Sequence, residues 1–233
     1  MGMNKLSDNI WTVDGDTVPF FGLPYSTRMT VIRLSNGKLW LHSPSRMFPQ
    51  LITELEQLGE IKYLVSPNKL HHLFLSDWIE QYPQALCYGS PGLAAKRKDI
   101  HFEGVLGMTA EPQWADDIDQ TVFKGSSIME EVVFFHKSSR TLLFADLIEN
   151  FNVEAFNWWQ ASLARFAGIV APDGKTPIDW RMSFMLNKEA ARKSLQTLMS
   201  WHPECLVMSH GECVYSDVHI FLKKSFAWLQ KPN

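Results

Sequence analysis

Clusters of lysine or arginine are missing from this 233-residue chain, and its formal net charge is −3. Without a basic patch there is no electrostatic footprint for nucleic acid or an anionic membrane, and neither is expected as a partner. Long apolar runs are also missing: no segment is long enough to span a bilayer. Met1–Ile10 lacks the basic stretch and apolar core of a signal peptide, so a cytoplasmic protein is expected. Cysteine is scarce, with Cys87, Cys205 and Cys213 at wide spacing. An odd count without a CxxC pair argues against a disulfide framework and against a thiolate metal site, and reads as buried or spare thiols. Low-complexity tracts, disordered linkers and solenoid repeats are absent as well. The length suits one hydrophobic core, so a single domain over residues 1–233 is expected.

An apolar fraction of 45% and a charged fraction of 20% are ordinary for a folded protein. Asn9–Val13, Met29–Leu34 and Lys38–His42 read as strands, the last two joined by the tight turn Ser35-Asn36-Gly37. A helix follows Pro49, carries Leu51, Ile52, Leu55 and Leu58 on one face and stops at Gly59. The strand Ile61–Val65, a helix near Leu73–Tyr82, a strand Leu86–Tyr88 and a small helix Pro91–Arg97 imply parallel βα units. Strands return at Thr121–Phe123, Glu131–Phe135 and Thr141–Ala145, the last two forming a hairpin through Lys137–Arg140. An aromatic helix around Glu154–Phe166, a loop Pro172–Pro177, a helix Asn187–Trp201, a strand Cys205–Met208 and a closing helix Ser216–Leu229 complete the order. Hairpins and βα units thus occur twice, which suggests two packed sheets with helices over both outer faces.

Eight histidines are present, and three stand out by position. His71 and His72 come after the strand Ile61–Val65 and its loop, and His210 comes after Cys205–Met208; Asp146 follows Thr141–Ala145 in the same way. All four lie just past strand C-termini, where α/β sheets place ligands. Three imidazoles and a carboxylate converging there suit zinc, and also iron or manganese. Read apart, the same residues are helix-start polar groups, a turn cap and a turn residue before Gly211. Position alone does not decide between the two.

At these residues the chain resembles a known superfamily. Ser66-Pro-Asn-Lys-Leu-His71-His72 looks like the T-H-x-H-x-D-H signature of the metallo-β-lactamases, Arg140–Asp146 looks like their R-T-L-L-x-G-D strand, and Ser209-His210-Gly211-Glu212 looks like their terminal G-H-G-E. The matches occur in the family's order and the resemblance runs from about Asn9 to Leu229. The Pro-Asn-x-x-His-His element is similar to the DUF4336-like branch. The resemblance implies an αββα four-layer sandwich with two mixed β-sheets. It also implies two metals in the parent pattern, and here the first loses its private ligands: Pro67, Lys69 and Ser127 stand where histidines would be. For the second metal, His72, His210 and Asp146 are retained and His71 replaces an aspartate, leaving at most a mononuclear site of His71, His72, Asp146 and His210.

Such a centre implies a metal-dependent hydrolase acting on a small-molecule ester, lactone, thioester or phosphoester, with one divalent ion, zinc ahead of iron or manganese. Asp146 would be ligand and proton acceptor, with Glu212 and Lys69 as further candidates for orientation or charge stabilisation. The competing reading is a catalytically silent member of the fold used for binding or scaffolding; an iron redox domain is a third. Phe156, Trp158 and Trp159 read either as the core face of an amphipathic helix or as a wall over the site. Asp179-Trp180-Arg181 reads as a loop holding a structural ion pair or a substrate contact. Neither the substrate nor the oligomeric state is written in these residues.

Overall fold

Alternation of side chains along the strands sorts the apolar residues into three stacked layers of core. In a strand, successive side chains point to opposite faces, so a strand buried on both sides is apolar throughout. The computed structural model, which describes residues 2–230, shows this in the apolar run Val132–Phe135 of the strand Glu131–His136, which is buried along its whole length. Val132 and Phe134 pack inward against Trp40, Tyr63 and Trp114, while Val133 and Phe135 pack outward against Leu198, Leu222 and their neighbours. A third layer lies under the helices of the N-terminal half and joins Val31, Leu41 and Leu64 to Leu51, Leu55 and Trp78.

Two mixed sheets produce these layers. The first contains β1 (Asn4–Ser7), β2 (Ile10–Phe20), β3 (Leu23–Arg33), β4 (Leu39–His42), β5 (Ile61–Ser66), β6 (Leu86–Gly89) and β7 (Gly104–Val105), in that spatial order. Its first four strands are antiparallel, and β4 to β7 are parallel. The parallel half is linked by α1 (Pro49–Leu58), α2 (Leu75–Gln81) and α3 (Leu93–Lys96). The second sheet has the order β11 (Cys205–Met208), β10 (Thr141–Phe144), β9 (Glu131–His136), β8 (Ile118–Phe123), with only the β10–β11 pair parallel. Its chain segments carry α4 (Trp158–Ala167), α5 (Ile178–Ser183), α6 (Lys188–Ser200) and α7 (Val218–Ser225). With helices outside both sheets, the expected αββα sandwich is the fold.

Besides the short strands β1 and β7, which the sequence reading did not place, two segments differ from it. β2 and β3, eleven residues each, form a hairpin that extends well past Val13, closed by Phe21 and Gly22 at φ 47° and 78°. Asp14, Gly15 and Asp16 interrupt the apolar alternation, and the ladder absorbs them as an irregularity between Asp14 and Thr17. Pro19 and Pro24, which look like breakers, face each other across the ladder. The second difference is Asp179-Trp180-Arg181, which lies in α5. Trp180 is buried and its indole N–H reaches Ser126 Oγ and the Met129 carbonyl, both at 3.1 Å, while Arg181 donates to the Ala167 carbonyl at 3.3 Å. The segment is structural, by burial and backbone contacts. No helix among the described residues is long and apolar enough to cross a membrane.

Candidate metal centre

The C-terminal ends of β5, β10 and β11 meet where the two sheets face each other, and each ends in a turn shaped by a particular residue. After β5, Asn68 accepts the N–H groups of Leu70 and His71 on its Oδ1 (2.8 and 3.2 Å), a turn that asparagine makes readily. Ser66 Oγ donates to the His71 carbonyl at 2.6 Å and fixes the same turn from the strand side. After β11, Gly211 takes φ 82°, and a Cβ there would lie 2.3 Å from the Asn150 carbonyl oxygen, so only glycine lets the chain turn behind His210. After β10, the backbone N–H groups of Ala145, Asp146 and Leu147 converge on the carboxylate of Glu131 (2.9, 2.7 and 3.3 Å). Asn68 Nδ2 bridges the two acids, donating to Glu131 Oε2 at 3.0 Å and Asp146 Oδ2 at 2.7 Å.

These turns bring three of the expected ligands together. His71 Nε2 lies 3.1 Å from Asp146 Oδ2, His210 Nε2 lies 3.0 Å from Asp146 Oδ1, and the two Nε2 atoms are 3.3 Å apart. Among the described residues they are the one group of three or more potential metal ligands. His210 Nδ1 faces the Ser26 carbonyl at 2.6 Å. A ring nitrogen facing a carbonyl can only donate, so in the neutral ring the Nε2 lone pair points at the Asp146 carboxylate. That arrangement needs a proton or a cation between them. His71 Nδ1 is held at 2.5 Å by Ser43 Oγ, which likewise turns Nε2 toward the group. Ring nitrogens tied behind the ligating ones are the usual way imidazoles are aimed at a metal. Ligands about 2.0–2.2 Å from one ion lie about 3–3.5 Å from each other. The two Nε2 atoms meet this spacing, each faces a different oxygen of the Asp146 carboxylate, and one ligand atom from each of the three residues lies within 4.8 Å of the others, a group that could hold one ion.

Burial and neighbouring charge decide the protonation of the group. Burial alone would raise the Asp146 carboxyl, but His71 and His210 outweigh it and hold the acid well below its usual range. Burial works against the charged form of His210 too; the Asp146 carboxylate reverses this and raises its pKa. Glu131 is pushed up to about 7 by burial and by Asp146, and Glu149 to about 8, chiefly by burial. Glu149 accepts the Tyr25 hydroxyl at 2.9 Å, and the Tyr25 ring packs edge-on against His210. Behind the group, His42 is pushed down to about 3 by burial and by His71, and stays neutral.

The Glu149 shift has a testable sign. Because its folded value lies above the ordinary 4.5, the native state holds an extra proton between about pH 4.5 and about 8. Stability from this proton is full below the lower value and is lost as the pH rises through the upper one. In chelated protein, the melting temperature therefore falls between pH 6 and 9, and falls less in Glu149→Gln; equal slopes for the two proteins in a thermal melt would contradict this.

The remaining expected site residues lie elsewhere. His72 does not join the group: its Nδ1 faces the Arg97 guanidinium at 2.9 Å, and Arg97 also takes its carbonyl at 3.0 Å. Of the four residues expected as ligands the structure brings three together, since consecutive side chains in this turn diverge and Arg97 holds His72. Lys69 runs across Gly92, and its carbonyl accepts Lys96 Nζ at 2.7 Å. Glu212 is exposed, and its backbone alone engages Asn150. Pro67 and Ser127, where the resemblance would place histidines, are engaged with the Val132 N–H and the Ser183 carbonyl. A cavity of about 300 Å³ opens over the group, walled by Val18, Pro19 and Phe20 of the hairpin, by Leu70 and Phe74, and by Lys96. Phe156 is buried beside Phe151, while Trp158 and Trp159 face solvent and do not line the cavity, so neither the core nor the wall reading describes them. The sequence reading missed Ser43, Asn68, Glu131 and Glu149. Asn68 alone carried a signal, as an asparagine directly after a strand and proline.

Comparison with solved structures agrees with this architecture. DIM-1 metallo-beta-lactamase superposes with a TM-score of 0.65 at 13% identity over 97% of this chain and 95% of its own. A metallo-beta-lactamase from Pontibacter korlensis gives 0.65 and 13% over 99% of both chains. Rubredoxin oxygen:oxidoreductase from Desulfovibrio gigas gives 0.65 and 15% over 99% of this chain and 62% of its own. At such identities the likeness is one of fold. No curated protein matches the sequence. Residues 7–164 match the family described as Domain of unknown function (DUF4336). With that match over more than half its length, the chain belongs to the DUF4336 family, and it has the metallo-β-lactamase fold.

Proposed function

We propose that the protein is a metal-dependent hydrolase with a mononuclear centre held by His71, Asp146 and His210, acting on a small ester, lactone, thioester or phosphoester. The observation that carries this reading is the convergence of two Nε2 atoms and a carboxylate within 3.0–3.3 Å at the foot of a cavity. Two imidazoles and a carboxylate suit zinc, with iron(II) the nearest competitor for the same donor set. When bound, the ion supplies Lewis acidity and brings the pKa of a coordinated water toward neutrality.

The chain's own residues do the rest. Ser43 and the Ser26 carbonyl keep the two imidazoles aimed inward, and Asn68 with Glu131 fixes the Asp146 carboxylate. Lys96 is the cation on the cavity wall and takes the charge-stabilising role expected of Lys69. The apolar wall of Val18, Pro19 and Phe20 excludes water from the far side of a bound substrate. The reading is tested by assaying zinc-loaded protein on nitrophenyl esters, a γ-lactone, an acyl thioester and bis-nitrophenyl phosphate. It predicts turnover of at least one, abolished by chelation and restored by zinc. No turnover of any class, or turnover indifferent to the chelator, would overturn it.

A further inference from the structure

Helix α4 is oriented against the ordinary logic of a surface helix. Such a helix turns its large apolar residues inward and its polar ones to water. In α4 the buried positions are Ala161 and Ala164, while Trp158 is 82% exposed, Phe166 73% exposed, and Trp159 and Leu163 are exposed as well. At about 100° per residue, Trp158, Ser162, Phe166, Trp159 and Leu163 share one arc of roughly 140°. The tip of the β2–β3 hairpin extends that arc: Gln160 Nε2 donates to the Gly22 carbonyl at 2.9 Å, a Cβ on Gly22 would lie 3.5 Å from the Trp159 ring, and Phe21 next to it is 79% exposed. The helix is well anchored, with a capping box between Asn157 and Gln160, so its outward face is fixed.

We propose that this face is where a second copy of the chain docks, with α4 packed antiparallel on its counterpart about a two-fold axis. The inference stands apart from the proposed hydrolase activity. The five apolar side chains leave on the order of 700 Å² uncovered, close to the roughly 800 Å² that each partner contributes to a standard stable interface and larger than most monomers leave open. Their composition, aromatic and without charge at the centre, is that of an interface core. The two ends of the face carry opposite charge, Glu154 ahead of α4 and Arg165 in its last turn, both exposed. A two-fold axis across the middle of the helix sets Arg165 of one copy toward Glu154 of its partner, and sets the two helix dipoles antiparallel, each positive end beside the other's negative end. A lipid surface suits the face less well, because Arg165 is the one cation on α4 and interfacial helices are rich in lysine and arginine. Phe21 packs edge-on to Phe20 of the cavity wall at 4.6 Å between centroids, so this interface borders the mouth of the candidate site.

The test is sedimentation equilibrium of the full chain. The wild type is expected to be a dimer, and Trp158→Ser with Phe166→Ser, both at exposed positions, a folded monomer by far-UV circular dichroism. Glu154→Arg and Arg165→Glu are each expected to weaken the dimer about tenfold, since two-fold symmetry counts the contact twice, and the two together to restore it. A wild type that stays monomeric up to about 100 µM overturns the proposal. So does a dimer that survives the Trp158→Ser, Phe166→Ser pair, or charge reversals whose effects simply add. Co-sedimentation of wild-type monomer with phosphatidylcholine vesicles, lost in the serine pair, overturns it in favour of a lipid surface.

Discussion

For the proposed centre, His210→Ala is expected to abolish zinc binding and His72→Ala to preserve it. The contrast follows from where two similar side chains point. His210 Nε2 stands 3.0 Å from Asp146 Oδ1 and 3.3 Å from His71 Nε2, and no other described side chain with a ligating atom stands in that group to replace it. His72 is engaged by Arg97 through both its ring and its carbonyl. Removing an outer partner of a metal ligand typically costs about 10–100-fold in affinity, and removing one of three ligands costs more. Zinc affinity, measured by competition with a chromogenic chelator, should therefore fall by more than about 100-fold for His71→Ala and His210→Ala. For His72→Ala it should change by less than about tenfold, which is 1.4 kcal/mol. Equal losses for His72→Ala and His210→Ala would mean that the second histidine of the pair is a ligand after all.

Glu131→Leu should cost the fold itself. The carboxylate is fully buried and accepts three consecutive backbone N–H groups after β10 together with the Asn68 amide. Leucine would leave the three backbone N–H groups without a partner in the interior and Asn68 with Asp146 alone. Each buried donor left unpaired costs about 1–3 kcal/mol, so the three together cost at least about 3 kcal/mol, a large part of the ~5–15 kcal/mol that holds a domain together. Glu131→Gln keeps an accepting oxygen and should cost about 1–2 kcal/mol. Urea unfolding of chelated protein separates the two. A leucine variant within about 1 kcal/mol of the wild type would show that these N–H groups find other partners.

The architecture was legible because it rests on period and order. Strands such as Glu131–Phe135 and helices such as the one after Pro49 announce themselves by spacing, and the three motif segments fall at strand ends in the superfamily's order. The outer half of the β2–β3 hairpin, beyond Val13 and before Met29, was not legible, since its irregularity at Asp14–Thr17 and its paired prolines break the pattern that marks a ladder. That His71, Asp146 and His210 come together was legible because each follows a strand. His72 could not be told from His71, because adjacent residues in a turn share a position in sequence and not a direction in space. Glu131 carried no signal at all: what it does is set by a loop fourteen to sixteen residues further on. The aromatic residues of α4 misled for a physical reason as well. Periodicity identifies an apolar face, but the alanines on the opposite side are equally able to pack inward.

The central claim is that one half of a two-metal pattern has been kept. Its most direct test is elemental analysis of the protein purified without chelator and dialysed against metal-free buffer. One equivalent of a transition metal per chain in the wild type, and less than a tenth of an equivalent in His210→Ala, is the predicted result. Two equivalents, or none in a protein that is folded and has been offered zinc, would contradict it.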